Sequence, residues 1–515
     1  MRKLLIVGLA AVFAVVGLAA SDILILGTID RIDELSFANS YDHFTWHILR
    51  NTTQALLTLE PGTARLMSSI AESWEISKGG KEYIFHIRPG ITFWDGAPCD
   101  AHAVEWSLKR TIRLNGPKGG VHLISDYIED VAALDDLTVK ISLKKPDPTG
   151  IFLLFMTDQI AASLIYSPKS TPEDEFANGQ YAGTGPYKLV EYAPDEYVVL
   201  EAYEGYFGEP PKTKRIVWKM YSDGAALRAA IEAGEIDLGF RTFDPEDLMD
   251  LKSKPDLQVL VGPATSVRYI LFNVTQPPVD DPLVRQAIAY AVDRDAIVTR
   301  VFSGVNTPIY TMVPKGIPPA GSSVDVFPKR DLERARGLLR AAGYSEENPL
   351  RVNLWFSPKH YGSTEADVAA VLKQAIEETG MVEITIQSLE WGAYVERMSQ
   401  GGFDMFLLGW YWDYLEASNY LMPWTTQSPE GLGTFFNHHP NYQIYKDLFD
   451  LALSLPIEQR APIYRAVQAL SACDVPWIPL WANAQQAYVV AQKEVKGIVL
   501  DSTMDLHITL LYKEG

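Results

Sequence analysis

The chain has 515 residues, of which 47% are hydrophobic, 11% aromatic and 21% charged. This length and composition predict two or three globular domains, and they exclude a disordered chain, a collagen and a coiled-coil rod. The 45 basic and 65 acidic residues give a formal net charge of -20, and so acidic a surface repels phosphate backbones, which argues against nucleic acid as a partner.

The N-terminus has the pattern of a secretory signal peptide over residues 1–20. Arg2 and Lys3 precede an apolar run over residues 4–18, and Ala19 and Ala20 supply the small residues of a cleavage site. The apolar run is shorter than the roughly 20 residues that span a bilayer. No cysteine follows the run, so we expect a soluble protein released into a periplasm-like space and not a lipid-anchored one.

Two cysteines, Cys99 and Cys473, are too few for a disulfide framework. Free cysteines are among the most buried residue types, so we expect both to lie in the interior.

Alternating apolar and polar residues predict strands in the first half of the chain. Residues 74–76 and 83–88 flank the Gly79-Gly80 turn as a hairpin, and residues 139–143 alternate in the same way. Apolar residues spaced by four predict a helix over residues 101–114.

Capping signals mark helices from residue 222 onward. Asp223 opens a helix that Gly234 closes, Asp281 precedes a proline at the first helical position, and Asp331 opens a helix that Gly343 closes. Strands over 352–356 and 382–387 enclose a helix over 365–379. This alternation predicts an α/β lobe.

Residues 403–408 form a short apolar run that predicts a buried strand, and an unusual segment, Gly409-Trp410-Tyr411-Trp412-Asp413, follows it. In open α/β sheets ligands bind beyond the carboxyl ends of strands, so a carboxylate among aromatic rings is a candidate ligand contact here. An equally open alternative is that the rings belong to the core and Asp413 caps the next helix.

Seven segments, in this order, resemble the solute-binding proteins of bacterial ABC importers, specifically family 5, which includes dipeptide-, oligopeptide- and nickel-binding proteins. The segments are IAESW (70–74), YIFHIRPGITFWDGAP (83–98), GTGPY (183–187), GEID (234–237), FN (272–273), VRQA (284–287) and AVDR (291–294).

The resemblance implies an α/β, two-lobed periplasmic-binding-protein fold of type II, similar to cluster C, with an extra subdomain inserted in lobe I. Lobe I would comprise residues 21–265, with the insertion at about 60–175, and residues 485–515 would return to it. Lobe II would comprise residues 266–484. The hinge would lie at the crossings near 265 and 485.

The resemblance also implies a binding site. Gly409, Trp410 and Asp413 match a Gly-Trp-x-x-Asp pattern in which the aspartate pairs with the α-ammonium group of a peptide. Trp410, Tyr411 and Trp412 would supply apolar walls or cation-π contacts, although alternation along an extended segment makes a core position equally plausible for Trp412.

The implied function is capture of short peptides by a monomer and their delivery to an ABC transporter permease, without catalysis, cofactor or metal. Three alternatives remain open. A protein of the same fold could bind an oligosaccharide through its aromatic side chains. His438 and His439 could approach a metal chelate, although adjacent side chains diverge. Asp280 and Asp281 could serve an exported hydrolase, although Asp281 is better explained as a helix cap.

Overall fold

The computed structural model describes residues 19–77, 79–147, 150–241, 243–358, 360–361, 364–427, 431–482 and 488–514. All but the last two residues of the predicted signal peptide therefore lie outside the described residues. Within the described ranges, no helix combines the length and the apolar character needed to cross a lipid bilayer.

The helices vary from one to about four turns. In chain order they are α1 (His43–Thr52), α2 (Ala101–Leu114), α3 (His122–Ser125), α4 (Phe152–Phe155), α5 (Gly224–Glu232), α6 (Pro245–Leu251), α7 (Pro282–Ala291), α8 (Arg294–Arg300), α9 (Leu332–Ala341), α10 (Glu365–Glu377), α11 (Trp391–Ser399), α12 (Ser418–Leu421), α13 (Tyr442–Leu453) and α14 (Ala461–Asp474).

The strands are mostly short. In chain order they are β1 (Ile23–Thr28), β2 (Leu57–Leu59), β3 (Leu66–Ser68), β4 (Ala71–Ile76), β5 (Glu82–Ile87), β6 (Ile128–Asp135), β7 (Thr138–Leu143), β8 (Tyr187–Ala193), β9 (Tyr197–Ala202), β10 (Arg215–Met220), β11 (Leu238–Phe240), β12 (Leu257–Val261), β13 (Val267–Phe272), β14 (Thr307–Pro308), β15 (Leu350–Phe356), β16 (Val382–Ser388), β17 (Met405–Trp410), β18 (Trp477–Ala482), β19 (Tyr488–Gln492), β20 (Val495–Lys496) and β21 (Tyr512–Lys513).

Two mixed sheets form the centres of two α/β lobes. The lobe I sheet has the order β12-β19-β11-β1-β10-β9-β8, and the lobe II sheet has the order β14-β18-β13-β17-β15-β16. Strand β1 runs parallel to β10 and β11, and β15 runs parallel to β16 and β17, while the other neighbours are antiparallel. The mixed α/β fold predicted from the sequence is confirmed.

A separate antiparallel sheet, β4-β5-β7-β6, packs onto the lobe I core. It contains the predicted hairpin, in which Trp74 pairs with Phe85.

The lobe boundaries and the hinge near residues 265 and 485 stay a prediction. Strand β12 belongs to the lobe I sheet and β13 to the lobe II sheet, and likewise β18 belongs to the lobe II sheet and β19 to the lobe I sheet. Residues 483–487, between β18 and β19, lie outside the described residues. The C-terminal tail contacts both lobes: Met504 packs in the lobe II core, whereas Asp505 forms an ion pair with Arg50 of lobe I.

The predicted helix starts are confirmed by their caps. The side chain of Asp223 accepts a hydrogen bond from the Ala226 amide at 2.9 Å, and Asp281 accepts one from the Leu283 amide at 2.8 Å. Gly234 has φ of +70°, a conformation that favours glycine at a helix end.

Two expectations differ from the structure. Cys99 is buried, but Cys473 is exposed, because α14 turns Tyr464, Val467 and Ser471 toward the core and leaves residue 473 on its outer face. The buried strand predicted at 403–408 is β17, which begins and ends two residues later, so that Gly409 and Trp410 still belong to the sheet.

Candidate ligand-binding site

A cavity of about 930 Å³ lies between the two lobes, within the size range of small-molecule sites. From lobe I it is lined by Ile29, Asp30, Tyr41, Asp42, His43, Trp46, Arg50, Gln159, Ser222, Asp223, Gly224, Ala225, Arg241, Phe243 and Asp244. From lobe II it is lined by His360, Tyr361, Thr364, Trp391, Val395, Met398, Leu408, Gly409, Trp410, Tyr411, Trp412, Asp413 and Leu432.

The five predicted site residues, Gly409 to Asp413, all lie on the lobe II wall of this cavity. Strand β17 pairs with β13 in the middle of the sheet, with Gly409 opposite Arg268 and Trp410 opposite Val267. The chain leaves the sheet after Trp410. The expected alternation of side chains through residue 413 therefore stays a prediction beyond Trp410, where strand pairing ends.

Asp413 is a buried carboxylate with neutral partners. Its side chain is 7% exposed. Its Oδ1 accepts a hydrogen bond from the Tyr41 hydroxyl of lobe I, and its Oδ2 accepts one from the Asn419 amide at 3.3 Å. No lysine or arginine lies within 4.0 Å of it in the part of the chain that the structure describes. Burial raises the pKa of Asp413, and the two hydrogen bonds together with the charge of the nearby His122 oppose this rise only in part.

The helix-cap alternative for Asp413 is wrong. Helix α12 begins at Ser418, and Ala417 occupies its N-cap position. Asp413 contacts this helix through Asn419 instead: the Asp413 amide donates to Asn419 Oδ1 at 2.9 Å, and Trp410 Nε1 donates to the same oxygen at 3.1 Å. Asn419 therefore fixes the loop that carries Asp413.

The aromatic residues of the segment serve both the core and the cavity wall. The Trp410 ring meets Trp424 edge to face, with 5.1 Å between ring centroids. Trp412 is 7% exposed, and its indole nitrogen has no hydrogen-bond partner among the described residues. Tyr411 is partly buried, and burial raises its pKa against the opposing effect of Arg241. Trp412 thus combines the core and cavity positions that the sequence left as alternatives.

Close packing behind the wall explains why residue 409 is glycine. A Cβ atom on Gly409 would lie 2.6 Å from Arg268 Nη1 and 2.8 Å from Tyr361 Cε1. Arg268 is fully buried, forms an ion pair with Glu365 and lies over the Tyr361 ring at 3.7 Å from its centroid. The glycine leaves space for this arginine, which braces the strand from outside the cavity.

The lobe I wall carries two arginines, and each has an anionic partner. Arg241 Nε lies 2.7 Å from Asp30 Oδ2, and Arg241 has a left-handed backbone with φ of +42°. Arg50 forms an ion pair with Asp505 and donates to Gln159 Oε1 at 2.7 Å. Both guanidinium groups are thus neutralised by carboxylates of lobe I.

Histidines in the cavity wall are kept neutral. Burial lowers the pKa of His43 to about 3, despite the neighbouring carboxylate of Asp505. On the opposite wall, burial and the charge of Arg268 lower the pKa of His360 to about 4. The His360 ring stacks on Trp391 with 3.5 Å between centroids and 2° between planes, which gives a flat apolar surface.

Sequence reasoning missed Tyr41, the two arginines and the stacked His360 and Trp391. Asp42, the neighbour of Tyr41 in the chain, does carry a local signal: its Oδ1 accepts a hydrogen bond from the Thr45 amide at 2.8 Å and caps α1. A cap predicts a helix start but not a cavity. These residues come from segments that meet only when both lobes fold.

The histidine pair considered for metal binding lies away from this cavity. His439 stacks on Phe436 at 4.6 Å, and its Nδ1 accepts from the Asn441 amide at 3.2 Å. Across the described residues, no group of three His, Cys, Asp or Glu side chains is arranged to hold a metal ion.

Comparisons with known proteins agree with this architecture. The model of "Bacterial extracellular solute-binding proteins, family 5 Middle" matches residues 65–431. The chain is 26% identical over 469 residues to the dipeptide-binding protein of Escherichia coli (strain K12), covering 87% of this chain and 86% of that protein. It is 31% identical over 427 residues to the glutathione-binding protein GsiB of Pectobacterium atrosepticum, covering 80% of each.

Among solved structures, NikA from Brucella suis in complex with Fe(III)-EDTA superposes with a TM-score of 0.85 at 21% identity, covering 96% of this chain and 100% of that chain. This likeness shows the same fold.

Proposed function

The chain belongs to the bacterial extracellular solute-binding proteins of family 5, and from that premise we propose that it binds short peptides by their free N-terminus. Each peptide would be enclosed between the lobes, and the closed protein would deliver it to an ABC transporter permease. The signal-peptide pattern of residues 1–20 supports export of the chain to the space outside the cytoplasmic membrane.

One observation carries this proposal: Asp413 is a carboxylate, 7% exposed, on the cavity wall, and both of its side-chain partners, Tyr41 and Asn419, are neutral. A buried carboxylate without a cation is costly, and it becomes favourable once a cation pairs with it. The α-ammonium of a peptide is a compact cation that every unmodified peptide carries. The two arginines of the cavity wall already have anionic partners, whereas Asp413 is almost completely buried and forms no ion pair with a lysine or arginine among the described residues.

Recognition of the terminus leaves room for different sequences. A protein that holds the shared ammonium group can accept many peptides, with pockets for side chains adding preference. The flat surface of His360 and Trp391, together with Tyr361, Trp410 and Trp412, offers apolar walls to such side chains. We therefore expect a preference for peptides whose first residues are apolar or aromatic.

The relatives support the same ligand class. One binds dipeptides and another binds glutathione, according to their names, and both kinds of molecule carry a free α-ammonium group. Among peptides, glutathione also bears two carboxylates, whereas the arginines of this cavity are already paired with Asp30 and Asp505. We therefore favour ordinary short peptides over glutathione.

Closure follows from the position of the cavity. A ligand that touches both lobes binds the closed state more tightly than the open state, and it shifts the population toward closure. A permease could then distinguish the loaded protein from the empty one by shape.

Native mass spectrometry of the purified protein, followed by calorimetric titration, tests the proposal. We expect co-purified masses of several short peptides, and strong binding of dipeptides and tripeptides that is lost when their N-terminus is acetylated. Retention of affinity by acetylated peptides would overturn the proposed role of Asp413. A single co-purified sugar or metal chelate would overturn the peptide assignment, and tighter binding of glutathione than of any tripeptide would overturn the preference between them.

A further inference from the structure

Tyr41 belongs to lobe I, and its side chain contacts the predicted ammonium site in lobe II. Its hydroxyl donates a hydrogen bond to Asp413 Oδ1, although 372 residues separate the two in the chain. Tyr41 is about half exposed, so it stands at the edge of the cavity and not in the core of its own lobe.

The position of Tyr41 is fixed from three sides. It immediately precedes Asp42, whose side chain caps α1. Its ring meets Trp46, one turn into that helix, at 5.3 Å between centroids, and it meets His122 at 5.9 Å. A Cβ atom on Gly120 would lie 2.8 Å from the Tyr41 ring, so the glycine leaves the space that the ring occupies.

The hydroxyl remains a donor at physiological pH. Desolvation of the hydroxyl against Asp413 and the charge of that carboxylate raise the pKa of Tyr41 well above its ordinary value, so the phenol stays protonated. An ionised carboxylate accepts about four hydrogen bonds through its two oxygens. Tyr41 takes one site and Asn419 takes another, which leaves sites on the same carboxylate for an ammonium group.

From this arrangement we propose that Tyr41 is the lobe I half of the ammonium site and determines specificity for an unmodified N-terminus. This inference rests on the proposed function. The carboxylate comes from lobe II and the hydroxyl comes from lobe I, so the complete site exists only when the lobes are closed. Recognition of the N-terminus and closure are thus coupled.

The test compares Tyr41→Phe, Asp413→Asn and the double variant with the wild-type protein. The matched control is Tyr197→Phe, which also removes a hydroxyl that donates to a carboxylate, Glu191 Oε1 at 2.5 Å, on a lobe I strand that does not line the cavity. The probes are a defined panel of dipeptides and tripeptides of Ala, Leu, Phe and Lys, each with a free and an acetylated N-terminus, titrated by calorimetry.

We expect Tyr41→Phe to bind the tightest free-amine peptide about 10- to 100-fold more weakly, as for loss of a hydrogen bond to a charged group, and Tyr197→Phe to bind as the wild type does. The preference for free over acetylated peptides should shrink by the same factor in Tyr41→Phe. The double variant should bind no more weakly than Asp413→Asn alone, because the hydroxyl acts through that carboxylate.

Three outcomes distinguish failure of this inference from failure of the proposed function on which it rests. If the wild type binds no peptide of the panel, the proposed function fails and the role of Tyr41 fails with it. If Asp413→Asn abolishes binding but Tyr41→Phe matches the wild type, only the role of Tyr41 is overturned. If the two losses are additive in the double variant, the Tyr41 hydroxyl acts independently of Asp413 and the proposed role is again wrong.

Discussion

Two aspartates near the same cavity have opposite surroundings. Asp505, 3% exposed, lies beside Arg50 and within 3.5 Å of His47 Nδ1. Asp413, 7% exposed, accepts hydrogen bonds from the neutral donors Tyr41 and Asn419, and within the described ranges the nearby ionisable base is His122, not an arginine. Burial alone would raise the pKa of either group. At Asp505 the charge of Arg50, together with the neighbouring His47, prevails and lowers the pKa, whereas at Asp413 burial prevails and raises it.

The difference separates a structural carboxylate from a binding one. Asp505 has its counter-ion within the fold, so its charge holds the C-terminal tail against α1. Asp413 has no such counter-ion among the described residues, so its charge is available to a cation from outside. Burial by itself therefore does not identify a binding group, and the charge of the partners does.

The largest expected effect comes from removing the charge of the structural carboxylate, Asp505. Asp505→Asn leaves the Arg50 guanidinium buried without its counter-ion, and we expect the free energy of unfolding to fall by about 3 to 5 kcal/mol. Urea unfolding followed by circular dichroism measures this change. The control is Glu383→Gln, which breaks an exposed pair with Arg351 and should cost about 0 to 1 kcal/mol. Equal losses in the two variants would contradict the structural role of Asp505.

The second prediction concerns the proposed binding carboxylate, Asp413. Asp413→Asn removes the charge but preserves the size of the side chain, and we expect peptide affinity to fall by about 2 to 5 kcal/mol. Stability should stay within about 1 kcal/mol of the wild type or rise, because an uncompensated buried charge is lost. Calorimetry and urea unfolding of one preparation measure both quantities. Asp136→Asn, an equal charge change at an exposed site, should alter neither. A large loss of stability without loss of affinity would reverse the assignment.

The smallest expected effect is a gradual change of peptide affinity with pH. The ammonium group pairs with ionised Asp413, and the pKa of this carboxyl is raised in the unliganded protein, so protonation competes with binding. Affinity should fall on acidification, beginning at a higher pH than for an ordinary aspartate.

The contribution of Asp505 to stability should be lost only at lower pH. Its folded-state pKa is depressed, so its contribution to stability is complete above the pKa of the unfolded chain and is lost only as pH falls below that value. Titrations and thermal unfolding from about pH 7 to about pH 4, spanning the ordinary carboxyl range, should show loss of binding before loss of stability. Unfolding that precedes the loss of affinity would contradict the comparison.

Much of the fold was predictable because its signals are local. Asp223, Asp281 and Asp331 cap the helices that they were expected to open, since a cap involves residues two or three positions apart. Cys473 was placed wrongly because general burial tendency does not indicate which face of α14 meets the core. The end of β17 was also placed two residues early, since Gly409 and Trp410 join the sheet through pairing with β13, a strand more than 130 residues away in the chain.

The sequence by itself determined the α/β class, the family resemblance and the segment from Gly409 to Asp413, because each depends on residues that are neighbours in the chain. Only the tertiary structure decided that Asp413 meets Tyr41, that Arg50 and Arg241 are already paired with Asp505 and Asp30, and that His360 stacks on Trp391. The physical reason is that charge compensation acts through space. Whether a buried carboxylate has a counter-ion depends on which distant side chains the fold brings within a few ångströms of it.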